Sequence, residues 1–269
     1  MPNWAQFLQA GQEAARRAGT MLRQNINEAN RVYFKGEVDL VTDCDTLAQK
    51  IIFEHLNGLF PEHDFLAEEG LSRETGSPFL WIIDPLDGTT NFAHNFPVFS
   101  VSIGLKFENE VRVGVVYDPM RAEMFSAVEG EGAFLNGKKI KVSSTAELNR
   151  SLLATGFPYD IRESRDNIDH FIDFIVTAQA VRRCGSAALD LCYVACGRFD
   201  GFWEKKLNPW DVAAGGLMVR EAGGLTSDFR GKVMLATVGD VVASNNLIHR
   251  QMLDVLRSGL EVGGSHERT

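Results

Sequence analysis

Apolar residues return at helical spacing near the start of the chain. Trp4, Phe7, Leu8, Ala15, Ala18, Met21 and Leu22 share one face, while Arg16, Arg17 and Arg23 mostly fall elsewhere. That period predicts an amphipathic helix over residues 4–25. A second helix is predicted from about 46 to 59, with Leu47, Ile51, Phe53 and Leu56 as core contacts and Pro61 as its stop. The texture then changes. Residues 79–83 form a short unbroken apolar run, which suits a buried strand, and 98–107, 111–117 and 123–128 read as further strands. Asn136-Gly137 predicts a tight hairpin turn.

The second half mixes the two periods. Residues 152–155, 199–204 and 241–244 are strand-like. Residues 168–180, 187–197, 210–222 and 247–256 are helical, and Gly223-Gly224 closes the third of these helices. The tail, 263–269, reads as frayed. No internal repeat or Pro/Gly/Ser-rich linker divides the chain. Its halves, 1–146 and 147–262, meet near 144–149 and are expected to pack as one unit of layered helices and sheets.

Composition narrows the classes. With 269 residues, 45% hydrophobic and 23% charged, the chain is an ordinary globular protein, long enough to bury a core without staples. A formal net charge of -9 argues against a general nucleic-acid binder, which needs a basic footprint, but not against a small phosphorylated substrate held by metal ions. No apolar window is long enough for a membrane span. The opening Met1–Gln6 lacks a signal-peptide pattern. Cys44, Cys184, Cys192 and Cys196 form no C-x-x-C pair and are expected to be buried, reduced thiols, which fits a cytoplasmic location.

The chemistry concentrates in Trp81-Ile82-Ile83-Asp84-Pro85-Leu86-Asp87-Gly88-Thr89-Thr90-Asn91-Phe92. An apolar strand delivers Asp84 to its end. Pro85 is expected to turn the chain so that Asp87 comes back towards Asp84. Gly88-Thr89 then opens a helix, whose free N–H groups attract an anion. Hard oxygen ligands beside such a helix end point to Mg²⁺ holding a phosphate. Taken alone, the segment also reads as an Asp-Gly turn with Asp87 capping a helix. Other acidic positions shift the balance. Glu68-Glu69 follows a further apolar strand, Asp211 opens a small, apolar helix, and Asp43 and Asp45 follow Asp39-Leu40-Val41-Thr42. Carboxylates at the ends of buried elements are costly unless a cation is present.

Glu68-Glu69, Asp84–Phe92, Gly185-Ser186-Ala187-Ala188 and Trp210-Asp211-Val212-Ala213-Ala214-Gly215, in that order, resemble the inositol monophosphatase family over nearly the whole chain. These are metal-dependent phosphomonoesterases related to fructose-1,6-bisphosphatases. The resemblance implies an α/β fold of αβαβα sandwich type, a homodimer and a small phosphorylated polyol as substrate, with inositol 1-phosphate foremost and fructose 1,6-bisphosphate, histidinol phosphate and adenosine 3′,5′-bisphosphate as alternatives. The other class is a non-enzymatic module that binds metal and phosphate to regulate a partner, against which the intact Glu68, Asp84, Asp87, Thr89 and Asp211 weigh. It implies two to three Mg²⁺ ions, with Mn²⁺ as a substitute and Li⁺ as inhibitor. Glu68, Asp84 and the Leu86 carbonyl would hold the first ion; Asp84, Asp87 and Asp211 would hold the second. Thr89 and Asp45 would orient and help deprotonate the attacking water, with Glu68 beside them. Gly88 and Thr89 N–H groups would receive the phosphate, and Gly185, Ser186, Ala187 and Glu204 would meet the alcohol. Lys35 precedes the Asp39–Thr42 segment in a loop beside the site and is left out of the catalytic set.

Two features are decoys. Residues 132–139 nearly match a phosphate-binding loop, but end in Lys139 where Ser or Thr should stand and sit at the expected hairpin turn. His94 lies near the acidic motif and reads as a packing or surface residue. Arg182-Arg183 leaves two readings open, a subunit contact or a charged substrate.

Overall fold

The structure, a computed structural model, describes residues 2–27, 32–34, 40–158, 161, 167–232 and 239–262. Lys35, Asp39 and the tail 263–269 lie outside the described residues.

Helix α1 (Trp4–Asn25) starts at Asn3, whose side chain accepts from the Gln6 N–H. Helix α2 (Asp43–Leu59) begins three residues earlier than its apolar period predicts (46 to 43). Asp43 and Asp45 fall in its first turn, where negative charge is favoured by the helix dipole. The buried stripe of α2 is Cys44, Ala48, Ile52 and Leu56, a four-residue spacing that leaves Leu47 on the outer face, 44% exposed. Leu47 is therefore not a core contact. Ile51 and Phe53 pack at the edge of the cluster, as partly buried side chains.

Strands β1 (Val32–Phe34) and β2 (Leu40–Thr42) pair antiparallel. An eight-stranded sheet follows, made of β3 (Asp64–Ala67), β4 (Ser72–Arg73), β5 (Phe79–Asp87), β6 (Ser100–Phe107), β7 (Glu110–Asp118), β8 (Glu123–Val128), β9 (Gly132–Leu135) and β10 (Lys138–Lys139). Its order is β10-β9-β8-β7-β6-β5-β3-β4, with β3 and β5 parallel. Asn136 and Gly137 join β9 to β10 with φ of 49° and 77°. Two positive φ values make a tight hairpin, so the near-match to a phosphate loop is a β-turn.

The second sheet has five strands, ordered β12-β11-β13-β15-β14: β11 (Leu152–Thr155), β12 (Ala180–Arg182), β13 (Gly201–Leu207), β14 (Leu225–Ser227) and β15 (Gly239–Ser244). The helical stretch predicted over 168–180 stops at Thr177 as α4 (Ile168–Thr177), and its end becomes β12. The 3-residue strands β12 and β14 are too short to show a period of their own. Helices α5 (Ala187–Ala195), α6 (Pro209–Glu221) and α7 (His249–Val262) complete the layers.

Three apolar clusters stack these elements. α1 and α2 cover one face of the large sheet. α5 and α6 fill the space between the sheets. α4 and α7 cover the far face of the small sheet around Phe174, Trp203 and Met252. The result is the expected αβαβα sandwich. Among the described residues no helix is long and apolar enough to cross a membrane. All four cysteines are free thiols; Cys44 and Cys192 are buried as expected, whereas Cys184 and Cys196 are only partly so.

One close contact sets the position of α6. Gly104 and Gly114 are cross-strand partners on β6 and β7. A Cβ on Gly114 would lie 3.0 Å from the Ala214 carbonyl oxygen, and one on Gly104 3.0 Å from the Ala213 Cβ. These glycines let α6 lie directly on the sheet. Gly114→Ala is expected to cost about 1–3 kcal/mol, since overpacking forces the backbone to shift. Chemical denaturation checks this; an unchanged midpoint would mean that α6 has slack there.

Candidate active site

Strand β5 carries the acidic motif through an irregularity. Asp84 pairs with Ser102 and Asp87 with Ser100, so β5 advances three positions (84 to 87) while β6 recedes two (102 to 100). This is a β-bulge. Residues three apart on a regular strand point to opposite faces; the extra residue lets Asp84 and Asp87 line one cleft. The turn expected at Pro85 does not occur. The chain stays in the strand to Asp87, with the Leu86 N–H donating back to Asp84 Oδ1 at 3.0 Å.

Gly88 then adopts φ 102°, a left-handed conformation that favours glycine, and α3 (Thr89–Ala93) begins. Thr89 is buried. Its Oγ1 lies 3.0 Å from Asp45 Oδ1 and 3.0 Å from the Leu86 carbonyl oxygen. Asp45 is fully buried at the start of α2. The side-chain pair is thus made by residues 44 positions apart.

Asp87 does cap a helix, but not the one that follows it. It accepts from Ser186 Oγ (2.5 Å), the Ala188 N–H (2.8 Å) and the Ala187 N–H (3.2 Å) at the start of α5, and from Ser100 Oγ (3.4 Å). Burial raises its pKa, and these hydrogen bonds oppose the rise. Ser186 and Ala187 therefore turn their donors to Asp87, and Gly185 lies beside them on the cleft wall.

Asp211 is the third residue of α6 and not its cap. Asn208 is the N-cap, and its N–H donates to Asp211 Oδ2 at 2.7 Å in a capping box. Burial pushes Asp211 up to about 8, against the Asn208 hydrogen bonds and with the negative charges of Asp87 and Glu204. Ser102, the partner of Asp84 on β6, donates to the Trp210 carbonyl at 3.2 Å. That bond ties the start of α6 to the acidic motif.

Glu68, Asp84, Leu86, Asp87, Gly88, Thr89, Gly185, Ser186, Ala187, Glu204 and Asp211 all line this cleft, and Asp45 reaches it through Thr89. Its volume is about 150 Å³. Glu69 is not on its wall; its backbone N–H bonds to the Gln49 side chain. His94 is exposed, as expected. The Glu204 carboxyl turns inward over Gly156, where a Cβ would collide with it. Burial raises it to about 8; the charges of Asp190 and Asp87 add to this, and Arg183 counteracts them.

Sequence reasoning missed Asp190 and left Arg183 undecided. Asp190 is 1% exposed, lines the cleft and has no hydrogen-bond partner at Oδ1. Its place inside the apolar run of α5 gave no signal. Arg183 reaches the cleft, while Arg182 sits exposed on β12.

The donor set fits a hard cation. Burial pushes Asp84 well above the usual carboxylate range, and the charges of Glu68, Asp87 and Asp211 push it further. Among the described residues, no group of three His, Cys, Asp or Glu side chains already stands in a metal-holding arrangement. Glu68 instead hydrogen-bonds Asp84. Buried oxygen donors that raise one another's pKa are the chemistry a divalent ion relieves.

A model of the inositol monophosphatase family matches residues 3–260. The chain belongs to the inositol monophosphatase family. It is 45% identical over 253 residues to an inositol-1-monophosphatase of Synechocystis sp., covering 93% of this chain and 88% of that one. The extragenic suppressor protein suhB of Bartonella henselae has a similar structure, with a TM-score of 0.90 at 39% identity over 94% of this chain and 99% of that one. An IMPase/NADP phosphatase complexed with Mg²⁺ and phosphate has a TM-score of 0.78 at 27% identity, covering 89% and 90%. Membership in the inositol monophosphatase family makes the protein an enzyme, a metal-dependent phosphoric monoester hydrolase.

Proposed function

We propose that the protein hydrolyses inositol 1-phosphate to inositol and phosphate, with water as the attacking group. The observation that carries this reading is the convergence of Glu68, Asp84, Asp87 and Asp211 with the Asp45–Thr89 pair on one cleft. In this reading Glu68, Asp84 and the Leu86 carbonyl hold one Mg²⁺; Asp84, Asp87 and Asp211 hold a second; a weaker third leans on Glu68. Bound there, Mg²⁺ lowers the pKa of water, neutralises phosphate oxygens and stabilises the leaving oxygen.

The remaining work falls to the chain. Thr89 donates its hydroxyl proton to Asp45 Oδ1, which leaves Oγ1 as an acceptor for the attacking water. As the water gives its proton to Thr89, the Thr89 proton passes to Asp45, with Glu68 as a neighbouring acceptor. Gly88 and Thr89 N–H groups receive the phosphate. Ser186 and Ala187 spend their donors on Asp87, so with Gly185 they shape the wall against the alcohol, and Glu204 bonds its hydroxyls. A phosphate-release panel over inositol 1-phosphate, fructose 1,6-bisphosphate, histidinol phosphate and adenosine 3′,5′-bisphosphate, with and without Mg²⁺, tests the assignment. Inositol 1-phosphate should have the highest kcat/KM; a higher value on another member would replace it.

Glu204→Ala is expected to raise KM for inositol 1-phosphate about two- to tenfold, the scale of a lost hydrogen bond to a neutral carboxyl. A small aryl phosphate, which lacks the hydroxyls, should be little affected. Equal losses on both would assign Glu204 to the fold or the metal site.

Li⁺ at millimolar levels is expected to inhibit by replacing the second Mg²⁺, and Mn²⁺ to substitute for it. An unchanged rate in Li⁺ would remove the protein from the lithium-sensitive branch. The same reading makes it a cytoplasmic homodimer, and four free thiols suit a reducing compartment. A light-scattering mass of one chain would refute the dimer.

A further inference from the structure

Asp87 is oriented by groups from the other half of the chain, the Ser186 hydroxyl and the Ala187 and Ala188 N–H groups. The turn that delivers them is fastened by one side chain of the acidic motif. Asn91, half-buried on α3, donates through Nδ2 to the Cys184 carbonyl at 2.8 Å and to the Val98 carbonyl at 2.7 Å, with the Gly185 carbonyl at 3.5 Å. An amide nitrogen has two protons, and two short bonds to backbone carbonyls use both. Gly185 follows with φ 86°, so the chain reverses directly after the tethered carbonyl. Ser186 then becomes the N-cap of α5 and turns its hydroxyl onto Asp87.

We propose that Asn91 is a positioning residue for Asp87. It is not on the cleft wall. It acts by pinning the 184–186 turn, so that the start of α5 holds Asp87 in place against the like charges of Asp84 and Asp211. Asn91 thus links the two sequence motifs: the first supplies the carboxylate and the tether, the second supplies the donors. The role rests on the reading that Asp87 holds metal, and it predicts a loss of Mg²⁺ affinity before a loss of fold.

Asn91→Ala and Asn91→Asp test it, the second keeping the shape while removing the donor. Hydrogen exchange at Ala187 and Ala188, measured by NMR in chelator, reads the turn without metal. Exchange there should be at least about tenfold faster, while residues 191–194 stay protected. Mg²⁺ alone, titrated by calorimetry, should bind about 10–100-fold more weakly, the scale for residues that orient ligands. Activity lost at low Mg²⁺ should return at saturating Mg²⁺. In a Ser186→Ala background the effect of Asn91→Ala should shrink, because both act through one turn; strict additivity would overturn the proposal. Exchange and Mg²⁺ affinity both unchanged in the Asn91 variants would also overturn it. If the wild type does not bind Mg²⁺, the metal reading falls, and exchange at Ala187 and Ala188 alone decides whether Asn91 orients Asp87.

Discussion

Asp211→Asn is expected to lower kcat by about 10²–10³-fold, the usual scale for removing one group that stabilises transition-state charge. The fold should survive. Asp211 contributes to α6 by accepting from the Asn208 N–H, and an Asn carbonyl oxygen in the same place can still accept. The negative charge that would help hold a metal is what disappears. Helix content and melting behaviour in chelator should match the wild type. Phosphate release at saturating Mg²⁺ measures the effect. Near-normal turnover would remove Asp211 from the metal set and leave it a capping residue.

Mg²⁺ is expected to stabilise the folded enzyme by about 2.7 kcal/mol at a free concentration 100 times its Kd. Without a cation the folded state gathers Glu68, Asp84, Asp87 and Asp211 on one cleft, where burial, and after it the charges of the other three, hold Asp84 protonated well above its ordinary range. The unfolded chain has no such cluster, so the ion binds the folded state preferentially. Asp84→Asn should lose most of this response, because Asp84 is the carboxylate proposed to serve both ions. Thermal melts in Mg²⁺ and in chelator decide it. Identical melts for the wild type would show that the carboxylates share protons instead of a metal.

Much of this architecture is legible locally. Strands 123–128 and 152–155 coincide with their apolar runs, and α1 spans its predicted helical period. The hairpin at Asn136-Gly137 follows from two residues that tolerate positive φ. The acidic motif is legible because a strand, paired carboxylates and a glycine before a helix fall within a few residues. The start of α2 is not legible in the apolar period, because Asp43 and Asp45 break that period while favouring a helix N-terminus.

Short-range physics controls side-chain period, turn conformation and the type of chemistry carried at each element's end, and these can be read along the chain. They place Asp84, Asp87, Glu68 and Asp211 near element termini without fixing how the four face one another. Their mutual orientation comes from packing between elements distant in the chain. The bulge between Asp84 and Asp87 exists because β6 pairs with β5 in a shifted register. Asp87 caps α5 because the small sheet brings that helix back across the large one. Asp211 reaches the cleft because Gly104 and Gly114 leave no Cβ to hold α6 away, and Asp190 reaches it from an apolar run. Each depends on the packing of segments far apart in the chain, and no local period carries information about a partner on another element.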